Sequence, residues 1–207
     1  GKSETLEAYK QLGDDIISET TIISDDMGSI EIESDGTVRG VGTEIGAFLR
    51  LDDLQPGYAF GQIDRSILMN AHQTNARIIL PVAFYDTILK GSKIDYIFYA
   101  NNYEEIKKKK KVIEKISNPK QALDIFSKGS VMSKGTTTST GLVQTYFANI
   151  FGPVQYKARH DQIAERYFNH FYQSGIFVGQ IRTQLGIKGM EQKGPEIAAQ
   201  ALIDMIS

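Results

Sequence analysis

The first three residues of the chain, Gly1, Lys2 and Ser3, have the types and the order that end a phosphate-binding loop. Such a loop reads G-x-x-x-x-G-K-[ST]. Its glycine lets the backbone approach the phosphates, its lysine supplies positive charge, and its hydroxyl holds Mg²⁺. Residues 3–12, which follow, have the apolar spacing of a short helix. A helix that starts here would turn its free N–H groups toward an anion. We therefore expect an anion-binding helix start, with the rest of the loop upstream of this sequence.

A pair of aspartates, Asp25 and Asp26, follows a short β-branched run over residues 20–23, which predicts a buried strand. Nucleotide enzymes place acidic groups at the end of such a strand. One carboxylate can hold Mg²⁺, and the other can orient or deprotonate a nucleophile. The alternative interpretation is a plain turn after a strand. The order of helix, strand and acidic pair favours a site.

The elements that would position these residues alternate between helices and strands. Helices are predicted over residues 3–12, 43–50, 84–90, 119–127, 155–173 and 195–206, and strands over residues 20–23, 29–32, 37–41, 76–82, 94–100 and 176–181. Residues 129–141, rich in Ser and Thr, predict a long loop. Without repeats or a clear linker, this alternation predicts one α/β domain over residues 1–207, with a mixed sheet and flanking helices.

Composition excludes several classes of function. The 207 residues are 41% hydrophobic and 23% charged, as in ordinary globular proteins. No apolar run is long enough for a membrane span, and the net charge of -2 gives no sign of nucleic-acid binding. The absence of cysteine excludes a thiolate nucleophile and a cysteine zinc site, and it fits a cytoplasmic protein.

Two further polar segments have both a functional and a structural interpretation. Glu44 could help to hold a cation or a substrate arginine, but a glutamate at a helix start is the favoured interpretation. Residues 135–141 run from glycine to glycine through hydroxyl side chains, with Thr137 and Thr138 at the centre. They suit either a lid over a nucleotide or an exposed connector.

Other conspicuous residues favour structural roles. His72, His160 and His170 have no metal-ligand spacing, so they are predicted to lie at the surface or at the edge of the core. The lysines of residues 107–111 predict a solvated face. The aromatic side chains of residues 167–172 predict core or interface packing.

The stretch GKSETLEAYKQLG with IISDD resembles the HPr kinase/phosphorylase family, in which G-K-S-E also leads into a helix and then into a strand that ends in two aspartates. Later segments, among them VGTEIGAFLRLDDLQPGYAFGQIDRSILMN, NARIILPVAFYD and GSVMSKGTTTSTGLVQTYFANIFGPVQY, resemble a bacterial phosphoenolpyruvate carboxykinase-like family. The two families share a P-loop core. The resemblance implies that core here, truncated at its N-terminus.

The resemblance also implies a reaction, in which oxaloacetate and ATP give phosphoenolpyruvate, ADP and CO₂ with Mg²⁺ and Mn²⁺. Carried over by position, Lys2 would touch the β- and γ-phosphates and Ser3 would ligate the nucleotide Mg²⁺. Asp25 and Asp26 would serve the metal ions, one of them a second, Mn²⁺-type ion. Arg77 matches an arginine that binds the transferred phosphoryl group, a task that suits a planar, permanently charged guanidinium.

The chain departs from the family in what it lacks. A lysine and a histidine that bind metal in the family precede the loop, so this chain alone should be incomplete. The family's adenine-side arginine has no clear counterpart here, and Lys188 lies where one would be expected; with Gly1, Thr137 and Thr138 it completes the implied nucleotide contacts. Two alternatives stay open: a protein serine kinase/phosphorylase like HPr kinase, and a nucleotide-binding module without catalysis. The expected partners are a nucleotide and a small carboxylate, with neither nucleic acid nor membrane.

Overall fold

A computed structural model of the chain describes residues 1–13, 20–50, 66–69, 77–107, 110–136, 139–148 and 154–207. The helices are α1 (Lys2–Gly13), α2 (Tyr85–Lys90), α3 (Pro119–Lys128), α4 (Lys157–Gln173) and α5 (Lys193–Ile206). The strands are β1 (Gly28–Ile32), β2 (Val38–Gly42), β3 (Gly46–Arg50), β4 (Ile67–Met69), β5 (Arg77–Pro81), β6 (Ser92–Lys93), β7 (Tyr96–Asn101), β8 (Ile113–Lys115), β9 (Ser130–Thr136), β10 (Ser139–Gln144) and β11 (Phe177–Arg182). The protein is thus mixed α/β, with small antiparallel and mixed sheets and flanking helices.

The chain divides into two compact units. The first unit comprises Gly1–Lys93 and Lys188–Ser207, and the second comprises Ile94–Ile187. Each unit has its own sheets and helices. The expectation of a single nucleotide-binding domain over residues 1–207 stays a prediction.

The first unit is built on two antiparallel sheets. One has the strand order β1-β2-β6 and the other the order β3-β5-β4. Alternate residues of β3 and β5 form a buried cluster, Ala47, Leu49, Ile78 and Leu80. Leu6 of α1 packs against this cluster, and α1 also contacts α5. Burial of these apolar side chains fixes α1, and therefore the position of its first turn.

The second unit is built on a mixed sheet and a hairpin. Strand β11 is central in the sheet, parallel to β7 and antiparallel to β8. Strands β9 and β10 form the antiparallel hairpin. Two of the aromatic side chains of α4, Phe168 and Phe171, are buried, as predicted for core residues. Phe168 packs against Phe126 of α3, with ring centroids 5.1 Å apart.

Most predicted elements are confirmed to within a few residues, but three predictions are wrong. Residues 43–50 form strand β3 rather than a helix, because Ala47 and Leu49 alternate into the core as β3 pairs with β5. Residues 129–141 are mostly hairpin rather than loop, since β-branched residues favour strands. Residues 20–23 form no strand; β2, close by, already has β1 and β6 on its two sides.

One finding concerns membranes. Within the ranges that the structure describes, no helix is both long enough and apolar enough to cross a bilayer.

Candidate functional site

The first turn of α1 presents a lysine and a serine side by side. The helix begins at Lys2, directly after Gly1. The Gly1 carbonyl oxygen accepts hydrogen bonds from the Thr5 hydroxyl at 2.6 Å and from the Thr5 N–H at 3.2 Å. These bonds form the first turn of the helix. The N–H groups of a first helical turn have no partner within the helix and can bind an anion. The helix start predicted from sequence is confirmed.

Both aspartates of the predicted pair meet this turn. The Lys2 Nζ lies 2.6 Å from Asp26 Oδ1 and 3.4 Å from the Asp26 carbonyl oxygen. The Ser3 hydroxyl donates to Asp25 Oδ2 at 3.1 Å. Asp25 is buried, whereas Lys2 and Asp26 are exposed. The structure therefore pairs each side chain of the helix start with one aspartate: Lys2 with Asp26, 24 positions later, and Ser3 with Asp25, 22 positions later.

The aspartates sit on a turn, residues 24–27, which we call the aspartate turn. One carboxylate oxygen of Glu44, Oε1, accepts hydrogen bonds from the N–H groups of Asp26 at 2.9 Å and of Met27 at 2.8 Å. The Thr43 hydroxyl donates to the Met27 carbonyl oxygen at 2.9 Å. Residues 43 and 44 join β2 to β3, so interpreting Glu44 as a helix-start residue was wrong. Sequence reasoning missed its contact with the turn, and only the polar dipeptide after Gly42 hinted at it.

Gly42, the last residue of β2, packs closely against the segment that leads into the aspartate turn. A Cβ atom built on Gly42 would lie 2.3 Å from the carbonyl oxygen of Ile23 and 2.9 Å from Cβ of Ile88. Any side chain here would push the segment that leads into the aspartate turn away from β2. Gly42 thus helps to set the distance between the aspartate turn and the strand that carries Thr43 and Glu44.

The remaining predicted site residues are not brought into this cluster by any contact that the structure describes. Arg77 is the first residue of β5, and its backbone pairs with Arg50 and Met69; the description does not extend to its side chain. Thr137 and Thr138 lie outside the described residues. Lys188 is exposed on the segment before α5. The roles expected for these four residues stay predictions.

The side-chain oxygen atoms of Ser3 and Asp25 are of the kind that binds a magnesium ion. A serine hydroxyl and a carboxylate are hard oxygen ligands, and Mg²⁺ is usually held by one or two carboxylates together with substrate phosphates. In the described part of the chain, no group of three or more His, Cys, Asp or Glu side chains could hold a metal ion. Ser3 and Asp25 offer oxygen atoms of the kind that Mg²⁺ takes together with phosphate oxygens. Asp26 fits that role less directly, because its carboxylate contacts Lys2.

Two of the three histidines have partners in the second unit that suit structural roles. The ring Nδ1 of His160 lies 2.8 Å from the Tyr146 hydroxyl, and Nε2 of His170 lies 3.0 Å from the Ser174 hydroxyl. Burial, together with the hydrogen bond that Tyr146 donates to Asp161, raises the pKa of Tyr146 well above its ordinary value. His72 lies outside the described residues.

Comparison of the chain with protein-family models, with curated proteins and with solved structures finds no match in any of the three.

Proposed function

We propose that this chain supplies the nucleotide site of an ATP-dependent phosphoryl-transfer enzyme of the phosphoenolpyruvate carboxykinase type. The observation that carries the proposal is the pairing of Lys2 with Asp26 and of Ser3 with Asp25 at the first turn of α1. A phosphate-binding helix start needs these two side chains, and a nucleotide-bound metal ion needs an aspartate opposite the hydroxyl. The P-loop core and the carboxykinase likeness are parts of this proposal.

Each side chain has a task in the proposed reaction. Lys2 leaves Asp26 and binds the β- and γ-phosphates, whose charge exceeds that of one carboxylate. Ser3 and Asp25 would hold Mg²⁺, which would draw negative charge from the phosphate oxygens. Asp26, released from Lys2, is then available to a second, Mn²⁺-type ion. Arg77 binds the transferred phosphoryl group.

The bond changes follow from the substrates. Oxaloacetate loses CO₂, and the electron pair of the broken C–C bond moves through the enolate to its oxygen. That oxygen attacks the γ-phosphorus of ATP as the bond from this phosphorus to the β-phosphate oxygen breaks, giving phosphoenolpyruvate and ADP. Positioning of the groups and compensation of their negative charge are what such a transfer needs from the protein.

The first test is ATP binding, measured by titration calorimetry with and without Mg²⁺. We expect Lys2→Ala to weaken ATP binding by about 10- to 100-fold, because a hydrogen bond from a charged group contributes roughly 1.5–3 kcal/mol. Lys10→Ala is the matched control, since Lys10 lies in the last turn of the same helix. Equal affinities for the wild type and both variants would remove the proposed site.

The second test is turnover by the chain and by any longer protein that contains it, with oxaloacetate, ATP, Mg²⁺ and Mn²⁺. Formation of phosphoenolpyruvate that Lys2→Ala abolishes supports the carboxykinase reaction. Phosphate transfer to a protein serine without release of CO₂ would identify the HPr kinase-like alternative. Binding without any transfer would identify a module without catalysis.

A further inference from the structure

We propose that Glu44 is a positioning residue, which holds the aspartate turn so that Asp25 stays opposite Ser3 when the metal ion binds. This inference rests on the proposed function, because it assigns a task at the same site. The Glu44 carboxylate accepts hydrogen bonds from the backbone N–H groups of Asp26 and Met27, so it would act on the aspartate side chains through the backbone of the turn.

The geometry of the Glu44 contact points to this role. Two successive N–H groups, of Asp26 and Met27, converge on the single oxygen Oε1 at 2.9 Å and 2.8 Å. Convergent N–H groups in a turn form a concave site for an anion, and hydrogen bonds to a carboxylate are stronger than those between neutral groups. A carboxylate in this concavity fixes two successive peptide planes, the one between Asp25 and Asp26 and the one between Asp26 and Met27. It thereby fixes the direction in which both aspartate side chains leave the backbone.

Thr43, the residue before Glu44, holds a carbonyl group of the same turn. The Met27 carbonyl oxygen accepts from the Thr43 hydroxyl at 2.9 Å and from the Thr43 N–H at 3.4 Å, as well as from the Ser24 hydroxyl. Residues 43 and 44 therefore clamp both the donors and an acceptor of the turn. These two residues lie between β2, which pairs with β1, and β3, which pairs with β5, so the clamp connects the aspartate turn to both sheets of the first unit.

A positioning role predicts an effect on one part of nucleotide binding only. Under the proposed function, Lys2 and the helix start bind phosphate without a metal ion. The affinity for metal-free ATP should therefore not depend on Glu44. The gain in affinity that Mg²⁺ provides depends on Asp25 and should therefore depend on Glu44. Groups that orient metal ligands typically contribute about 10- to 100-fold to metal affinity or activity.

The experiment compares ATP binding in EDTA with ATP binding in Mg²⁺ for the wild type and variants. We expect Glu44→Ala to reduce the gain that Mg²⁺ provides by about tenfold or more while leaving binding in EDTA within about twofold of wild type. Glu44→Gln keeps an acceptor oxygen and should restore most of the gain. Glu31→Ala, which removes an exposed carboxylate from β1 of the same unit, is the control.

The outcomes separate this inference from the proposed function. A wild type that binds no ATP overturns both. A wild type whose binding depends on Mg²⁺, together with a Glu44→Ala variant that keeps the full gain, overturns the role of Glu44 alone. Equal losses in EDTA and in Mg²⁺ also overturn it, because a general structural defect would lower both. Should Glu44→Ala fail to fold, Thr43→Val replaces it: a smaller loss in the Mg²⁺ gain supports the clamp, and an unchanged gain overturns it.

Discussion

Two groups of ion pairs, one in each unit, join residues far apart in sequence and differ in their exposure to water. In the first unit, Lys2 and Asp26 lie 2.6 Å apart, and each side chain is 55% exposed. In the second unit, Arg182 is 3% exposed and contacts Glu104 at 2.9 Å and Glu114 at 2.7 Å. Because water screens an exposed pair, the first group contributes little to folding, whereas a buried guanidinium without its partners would be costly.

The two groups also differ in how many partners hold each charge. The Arg182 guanidinium additionally donates to the Lys111 carbonyl oxygen at 2.7 Å, so all of its nitrogen atoms are engaged and it ties β11 to the segments around β8. The Lys2 ammonium has only the side chain and the carbonyl oxygen of Asp26 among its described partners. An exposed charge that contacts a single residue can exchange that partner for a ligand at little cost in free energy. This difference supports the proposal of a ligand site at the start of α1, and it makes the Arg182 cluster a support of the fold.

The largest expected effect on stability comes from breaking the buried cluster. Removing one partner of a buried ion pair typically costs about 3–5 kcal/mol, and we expect Arg182→Ala to lie near the lower end because Glu104 and Glu114 are partly exposed and can gain water. Urea unfolding followed by circular dichroism measures the change. Arg182→Met is the control for lost packing, since it keeps the aliphatic part of the side chain. A loss below about 1 kcal/mol for Arg182→Ala would remove the distinction between the two groups.

Acid should weaken the same cluster. Burial alone would raise the pKa of Glu104, but hydrogen bonds from Lys110 and Arg182 outweigh it and hold that pKa below the ordinary value of 4.5. The hydrogen bond from Arg182 likewise lowers the pKa of Glu114. A carboxyl group whose pKa is lower in the folded state stabilises the fold above its unfolded pKa and loses that contribution as the pH falls through its folded pKa.

We therefore expect the free energy of unfolding to fall as the pH is lowered from 4.5, and to fall less steeply in Arg182→Met, where both glutamates have lost the guanidinium. Urea unfolding of the two proteins at a series of pH values below 4.5 measures both slopes. If the free energy of unfolding fell equally steeply with pH in both proteins, the contacts of Glu104 and Glu114 with Arg182 would not be the source of the acid sensitivity.

Local signals in the sequence were enough for the five helices α1 to α5 and for the first hairpin, although they also predicted a helix over residues 43–50, where the structure has β3. The strands predicted over residues 29–32 and 37–41 flank Ser34-Asp35-Gly36 and correspond to β1 and β2. In the structure, Gly36 has a positive φ of 86° and Asp35 accepts from the Thr37 N–H. These residues lie within a few positions of one another, so the relevant physics is contained in a short segment.

Long-range pairing defeated the same approach. Strand β3 exists because its residues pair with β5 about thirty positions later, and a run as short as Ala47-Phe48-Leu49 has no clear periodicity of its own. At the candidate site, residue types predicted the meeting of Lys2 and Ser3 with the two aspartates, although the strand expected before the aspartates does not form. The contact of Glu44 with the aspartate turn depends on where β2 ends, and this could not be predicted from residue types.

The smallest expected effects test whether the exposed pair at α1 contributes to the fold. We compare Lys2→Ala with Lys128→Ala, which breaks an ordinary exposed pair inside α3, where Lys128 Nζ lies 2.8 Å from Asp124 Oδ2 at helical spacing. Exposed pairs of this kind contribute roughly 0.3–0.5 kcal/mol, so both variants should unfold within about 0.5 kcal/mol of the wild type in urea. ATP binding should nevertheless fall only in Lys2→Ala. If Lys2→Ala lowered stability by several times as much as Lys128→Ala, its loss of ATP binding could be explained by unfolding. Lys2 would then belong with Arg182 as a support of the fold, and the contrast between the two units would disappear.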